Sequence, residues 1–355
     1  MELGIKNIKK HFLKFLVMAF FAVGIFAFSS QALAGPPSNN VYYSVGQSAA
    51  DLKTGTPTVT ITSGTAVFSV AQTGNIGVGD RVTYNTSTVA YISAKMNASG
   101  TNWNLVTATG AVPANISNST VVSIKHEYTS LSAAVAGAVD ANHLNTTNLT
   151  LANVILNFPC YYDSAADTTA VTVSGFTTSA ANYIKIYTPN NTTTETNNSQ
   201  RHGGRWDDGR YNLTVSTTYK YALSVQQYYT QIIGLQVRQI TAINGYGGIQ
   251  SGSAGARRDV LIDGCIVTGN GTGSGSSEAD TAGIYMGGGA KVLNSVVYGM
   301  PNSGIFFAYF NDGIRVVYNS TVYGNGTRGI NASAANGDSP YYIKNVLMFG
   351  NVTGD

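Results

Sequence analysis

The sequence predicts an all-β chain, a solenoid of stacked parallel strands preceded by a small β module and a short capping helix. Three observations point there. Only 10% of the 355 residues are charged, against about 25% in an average globular domain. Forty Gly and 22 Tyr stand among many Asn, Thr and Ser, a mixture of turn formers and strand formers. From about residue 230 the chain also repeats itself in steps of 25 to 30 residues, the mark of a repeat architecture.

The first element is an address. Lys6 to Lys14 form a basic region, Phe15 to Phe28 an apolar run, and Ala32-Leu33-Ala34 a small-residue cleavage signal before Gly35, so residues 1–34 read as a signal peptide. The apolar run is shorter than the roughly 20 residues that span a bilayer. A secreted, periplasmic or cell-surface location follows, with no stable membrane insertion after cleavage, and the short Lys-rich leader has a bacterial look. Lys6, Lys9, Lys10, Lys14 and Glu2 all precede Gly35, which leaves 16 basic and 16 acidic side chains behind it. A neutral mature chain offers no electrostatic affinity for nucleic acid.

Next comes the small β module, residues 41–128. Val59-Thr60-Ile61-Thr62, Ala66-Val67-Phe68-Ser69-Val70, Arg81-Val82-Thr83-Tyr84 and Val89-Ala90-Tyr91-Ile92-Ser93 are short β runs broken by turn residues. Ser130 then caps an Ala-rich stretch to Val139 that favours a short helix. Beyond it, residues 130–355 carry further strand candidates and then the repeats. Cys160 and Cys265 lie far apart in apolar runs, where a thiol acts as a small buried apolar group.

The repeats align on Gly234, Gly264, Asn294, Asn319 and Asn345, and a Gly-Ile pair recurs at Gly248-Ile249, Gly283-Ile284, Gly304-Ile305 and Gly329-Ile330. A unit this short cannot bury a face alone, so it must stack on its neighbours. Ile249, Ile284, Ile305 and Ile330 are expected to form one internal column, and Val267, Val297, Val322 and Met348 another. Gly and Asn at the anchor suit a bend with φ > 0. Asn294, Asn319 and Asn345 should form a ladder. Tyr298, Tyr323 and Phe349 should stack on the outside, and Phe306, Phe307, Tyr309 and Phe310 make a second aromatic patch. Asn345 to Asn351 begins a coil, so the chain is expected to be truncated at its C-terminus or to fray there.

The pattern in Val317-Tyr318-Asn319-Ser320-Thr321-Val322-Tyr323-Gly324-Asn325, followed by Gly329-Ile330, resembles the right-handed parallel β-helix family of pectate-lyase-like proteins. The likeness is clear over about 230–355 and weaker back to about 130. It implies the fold and a role on polysaccharide, while the same fold serves lyases, hydrolases, adhesins and tailspikes. The Asn-Thr-Asp and Gly-His-Gly signatures of polygalacturonase-like hydrolases do not occur, nor does the Arg-x-Pro-x-x-Arg stretch of pectate lyases.

No catalytic residue is therefore assigned, and binding of extracellular polysaccharide without turnover is the expected role. The alternative is a polysaccharide lyase or glycoside hydrolase whose catalytic residues are unrecognised or missing. Gln200 to Arg210 is the densest cluster of charge. Within it Arg201, His202, Arg205, Trp206 and Asp207 are the candidate carbohydrate-binding residues, since an aromatic face flanked by charged donors and acceptors suits a sugar. His202 is also the candidate base, and a long loop held by its own ion pairs is the structural alternative. No cofactor is required. Glu278 and Asp280 offer carboxylate oxygens of the kind that ligate Ca²⁺, and Asp312 and Arg315 flank the next turn.

Overall fold

The computed structural model describes residues 39–216, 220–240, 247–252, 259–270, 281–308, 313–332 and 340–354. The leader, Glu278, Asp280, Tyr309, Phe310 and Asp312 lie outside the described residues. The described chain is almost wholly β, and the repeats form a parallel β-solenoid of about six turns.

Strand β1 (Asn39–Tyr42) comes first and pairs in parallel with Val154–Pro159, far along the chain. Between them sits a closed barrel of six antiparallel strands: β2 (Thr58–Thr62), β3 (Thr65–Phe68), β4 (Arg81–Tyr84), β5 (Thr88–Lys95), β6 (Asn102–Val106) and β7 (Ile116–Lys125). Alternation of buried and exposed residues along β2, β3, β4 and β6 is what a sheet closed around its own core requires. That core holds Val59, Ile61, Phe68, Ile92, Trp103 and Ile124, and the Trp103 indole N–H donates to the Gly100 carbonyl at 2.9 Å. The barrel's two chain ends are adjacent, because the Gly46 N–H donates to the Tyr128 carbonyl at 2.9 Å and the Tyr128 N–H to the Ser44 carbonyl at 3.0 Å.

Helix α1 (Leu131–Gly137) follows, and the Ser130 hydroxyl accepts from the Ala133 N–H as the sequence predicts. The buried carboxylate of Asp167, from the next coil, accepts from the Leu131 N–H at 2.7 Å, so the helix start is satisfied from outside as well as from its own cap. A single-turn helix, α2 (Leu149–Ala152), leads into the solenoid.

Each full coil then adds one strand to each of three sheets. The first sheet has eight strands, β1 and Val154–Pro159 included, and the second and third have six each. Ile249, Ile284, Ile305 and Ile330 lie in register on the third sheet, below Val171 and Leu223. Val237, Val267, Val297, Val322 and Met348 do so on the second. These columns form the buried core, and Ile330 and Met348 are half-buried and packed against it. In the last coil Tyr341, Tyr342, Ile343, Leu347 and Phe349 are exposed.

The corner from first to second sheet turns on one left-handed residue, with φ between 49° and 71° at Gly234, Gly264, Asn294, Asn319 and Asn345. Asn345 donates its amide to the Asn319 side chain at 3.1 Å. Asn294 stacks above Gly264, which has no side chain, and donates instead to the Asp263 carboxylate at 2.8 Å. A second, internal asparagine pair was not anticipated. The Asn325 amide donates to the Asn351 side-chain oxygen at 2.9 Å, and the Asn325 side chain accepts from the Met300 N–H at 3.1 Å. Both are buried, so each polar group that the corner removes from water keeps a partner. Cys160 and Cys265 are buried free thiols, and burial pushes the Cys265 thiol up to about 12, far from a nucleophile's range.

The seam between barrel and solenoid carries two imidazole–carboxylate clusters. His126 lies fully buried between Asp80 of the barrel, 2.6 Å away, and Asp163 of the solenoid, 3.3 Å away, with Tyr161 stacked on its ring. His143 bridges Glu127 at 2.9 Å and Asp140 at 2.7 Å, and Arg81 adds an ion pair to Glu127. Burial alone would lower the His126 imidazole, but the Asp80 and Asp163 carboxylates lift it to about 10.

Candidate functional site

The charged segment is an insertion. Where later coils pass from first to second sheet over two residues, the first coil with a strand on all three sheets runs from Thr188 to Tyr211 between Ile184–Tyr187 and Asn212–Val215. Its leading half packs on the barrel. The Val78 N–H donates to the Glu195 carbonyl at 2.8 Å, the Lys95 N–H to Thr194 at 2.8 Å and the Asn197 N–H to Ile76 at 2.9 Å. The Lys95 ammonium reaches the Thr192 carbonyl at 2.9 Å.

The trailing half brings the predicted sugar residues to the edge of the second sheet and engages most of them internally. Arg201 donates to the Thr188 carbonyl at 3.0 Å. Trp206 donates its indole N–H to Asp208 at 2.6 Å, and the Arg238 guanidinium lies over its ring at 3.9 Å. One indole face is therefore occupied by a cation. The Asp207 N–H donates to the Gln236 side chain at 2.7 Å, and its carboxylate meets Arg210 at 3.6 Å. Arg205 is exposed. Burial lowers the His202 imidazole, and its Nδ1 accepts from the Gly204 N–H at 3.1 Å. A neutral ring that accepts at Nδ1 carries its proton on Nε2, so in this arrangement it has no free lone pair with which to act as a base.

A different surface gathers aromatic, polar and charged side chains around one groove. A groove of about 340 Å³ lies on the outer face of the first sheet, lined by Tyr183, Tyr229, Gln231, Asp259, Leu261 and Lys291, with Ala180, Val260 and Leu293 completing it. The register explains the grouping. Gln231, Leu261 and Lys291 are successive partners on neighbouring strands and point outward, opposite the buried Ile232, Ile262 and Val292. Tyr183, Tyr229 and Asp259 stand at the matching position just before each strand, and φ is 48° at Tyr229 and 49° at Asp259. Two phenols, an amide, a carboxylate and an ammonium thus meet over an apolar floor.

Sequence reasoning missed this groove because its residues share a register position and not a residue type. The signal was available in the steps between Tyr183, Tyr229 and Asp259, which follow the coil.

Two other aromatic groups have less to offer. Tyr298, Tyr323 and Phe349 do form the outer column, with ring centroids 5.0 Å apart and planes within 7°. Both faces of Tyr323 are covered by its two neighbours. Phe306 stacks on Tyr285 at 5.7 Å outside the third sheet, whereas Phe307 points into the core. Arg315 is buried and donates to the Ala308 carbonyl at 3.0 Å. Among the described residues no group of three His, Cys, Asp or Glu side chains is placed to hold a metal ion.

Comparison with family models, with curated proteins and with solved structures gives no match for this chain. What is established is its architecture: a parallel β-solenoid of about six turns that carries a small β-barrel near its N-terminal end.

Proposed function

We propose that this is a secreted or cell-surface β-helix of the right-handed, pectate-lyase-like kind, and that it binds extracellular polysaccharide. The observation that carries the reading is the groove on the first sheet. Its two tyrosines offer apolar ring faces, and Gln231, Asp259 and Lys291 offer hydrogen-bond donors and acceptors for hydroxyls. The Trp206 segment is a second contact surface at most, since its indole, Asp207 and Arg201 already have partners in the fold.

Calorimetric titration of a polysaccharide panel tests this. Tyr229→Ala removes a stacking surface worth about 1–3 kcal/mol by analogy with aromatic platforms for flat rings, so affinity should fall by roughly tenfold or more with little change in melting temperature. Trp206→Ala should leave affinity nearly intact. If no polysaccharide binds, or if Tyr229→Ala binds as the parent does, the reading fails.

Turnover is the second reading, favoured by one observation: a carboxylate and a lysine, Asp259 and Lys291, share one outer face. A lyase would leave an unsaturated product that absorbs in the ultraviolet, and a hydrolase would leave new reducing ends. Neither signal is expected from a binding protein.

A further inference from the structure

The turn that leads into Trp206 is tied down through an imidazole. His202 Nδ1 accepts from the Gly204 N–H at 3.1 Å, while Nε2 is shut off from solvent beside the Gly264 backbone without closing a hydrogen bond. On one side the chain is anchored at Arg201, which donates to the Thr188 carbonyl at 3.0 Å and fills the space over Gly234, where a Cβ would collide with its Nε. On the other it is anchored at Asp207, whose N–H donates to the Gln236 side chain at 2.7 Å and whose carbonyl accepts from it at 2.9 Å. Between these anchors Gly203 and Gly204 are exposed, a Cβ on either would meet nothing within 4 Å, and Gly204 has a φ of 88°. The turn has open space around it and a backbone free to re-fold. Trp206 is held at the surface, by its bond to Asp208 and by Arg238 over its ring.

We propose that His202 is an acid-released latch: at neutral pH it holds the turn from Gly203 to Trp206 against the solenoid, and in acid the turn lifts and uncovers the Trp206 indole and the Arg238 guanidinium. Protonation makes Nδ1 a donor, so two N–H groups then face each other and the Gly204 bond is lost. The same proton leaves a charged ring whose Nε2 water does not reach. Among the charged neighbours, Arg201 opposes that charge and Asp207 favours it, although the Asp207 carboxylate is shared with Arg210. Asp263, next to Gly264, is engaged by the Asn294 amide at 2.8 Å. Burial is the largest influence and lowers the imidazole below 6.5, the Gly264 backbone and Asp207 opposing it and Arg201 adding to it. Above 6.5 the ring is neutral whether the turn is docked or lifted. As pH falls below that value the lifted turn takes up the proton first, so acid favours release.

The test is heteronuclear NMR of the full chain, isotope-labelled at tryptophan and glycine, from about pH 7.5 to about pH 5. Trp103, sealed in the barrel core, is the internal reference for Trp206. The Trp206 indole and Gly204 amide signals should move together with one midpoint below 6.5, while Trp103 stays in place. Protection of the Gly204 amide from exchange, corrected for the intrinsic rate, should fall by up to about tenfold per pH unit beneath that midpoint. His202→Asn keeps an acceptor for the Gly204 N–H, in the manner of an Asx turn, but cannot titrate, so both signals should stay still. Asp208→Asn should preserve the movement, which separates the imidazole from the carboxylate that the indole touches. A Trp206 signal in the parent that ignores pH, or that moves alike in His202→Asn, would overturn the proposal, and so would movement of Gly204 alone.

Discussion

Gly304 illustrates how a single position dictates the packing of a coil. It begins the Gly-Ile pair, and a Cβ placed there would run into Val322 Cγ1 and come within 2.8 Å of the Gly329 carbonyl. Gly248 and Gly283 stand in the same relation to Val267 and Val297. The glycine exists because the chain passes the inward valine too closely for any side chain. Gly304→Ala should thus cost about 1–3 kcal/mol by overpacking. Adding Val322→Ala should recover part of that loss, a non-additivity that chemical denaturation of the two single variants and the double variant will measure. The Gly-Ile motif was legible in the sequence as a recurring pair, and so was the left-handed corner at Asn294, Asn319 and Asn345. The sterics behind the glycine were not, since they depend on a valine of the second sheet in the following coil.

At the scale of elements, the seam between barrel and solenoid has a pH dependence with a definite sign. His126 has its folded pKa raised from 6.5 to about 10, so its contribution is complete below pH 6.5 and is lost as pH climbs through 10. Asp163 is shifted the other way: burial opposes its ionisation, but the hydrogen bond and charge of His126 hold its pKa below 3.8. Its contribution is present above that value and is lost under acid. Melting temperature should therefore fall between pH 6.5 and 10 in the parent and fall less in His126→Gln, which retains a hydrogen-bonding side chain but cannot titrate. Equal slopes would show that the imidazole is not the titrating group. None of this was readable beforehand, because Asp80 and His126 meet only when the barrel closes, and Asp163 joins them only from the solenoid. The individual barrel strands were readable from their alternation. Their pairing order was not, since nothing local in β2 identifies β7 as its second partner.

At the scale of the whole molecule, protection should be graded along the axis. β1 and Val154–Pro159 lie between the barrel seam and the next coil, whereas among the described residues Tyr341–Lys344 and Leu347–Phe349 each pair with one strand and are largely exposed. In a solenoid each unit is stabilised by its neighbours, so native-state hydrogen exchange should be slowest in the barrel core and the first two coils and fastest in the last strands. Uniform protection from Val154 to Phe349 would contradict this picture. The repeated coils were legible because their residues recur at fixed steps. The groove was not, because the residues that line it change from coil to coil.

The adjacency of the barrel's two ends also bears on the order of events as the chain folds. β1 must find Val154–Pro159 across roughly 110 residues of intervening chain, and every doubling of such a loop adds about 0.6 kcal/mol of closure entropy. Once the barrel has formed and brought Gly46 to Tyr128, the search shrinks to the stretch that holds α1 and α2. The inserted barrel thus acts as a bookmark. It holds the opening strand of the solenoid in place until the strand that will sit beside it has been made.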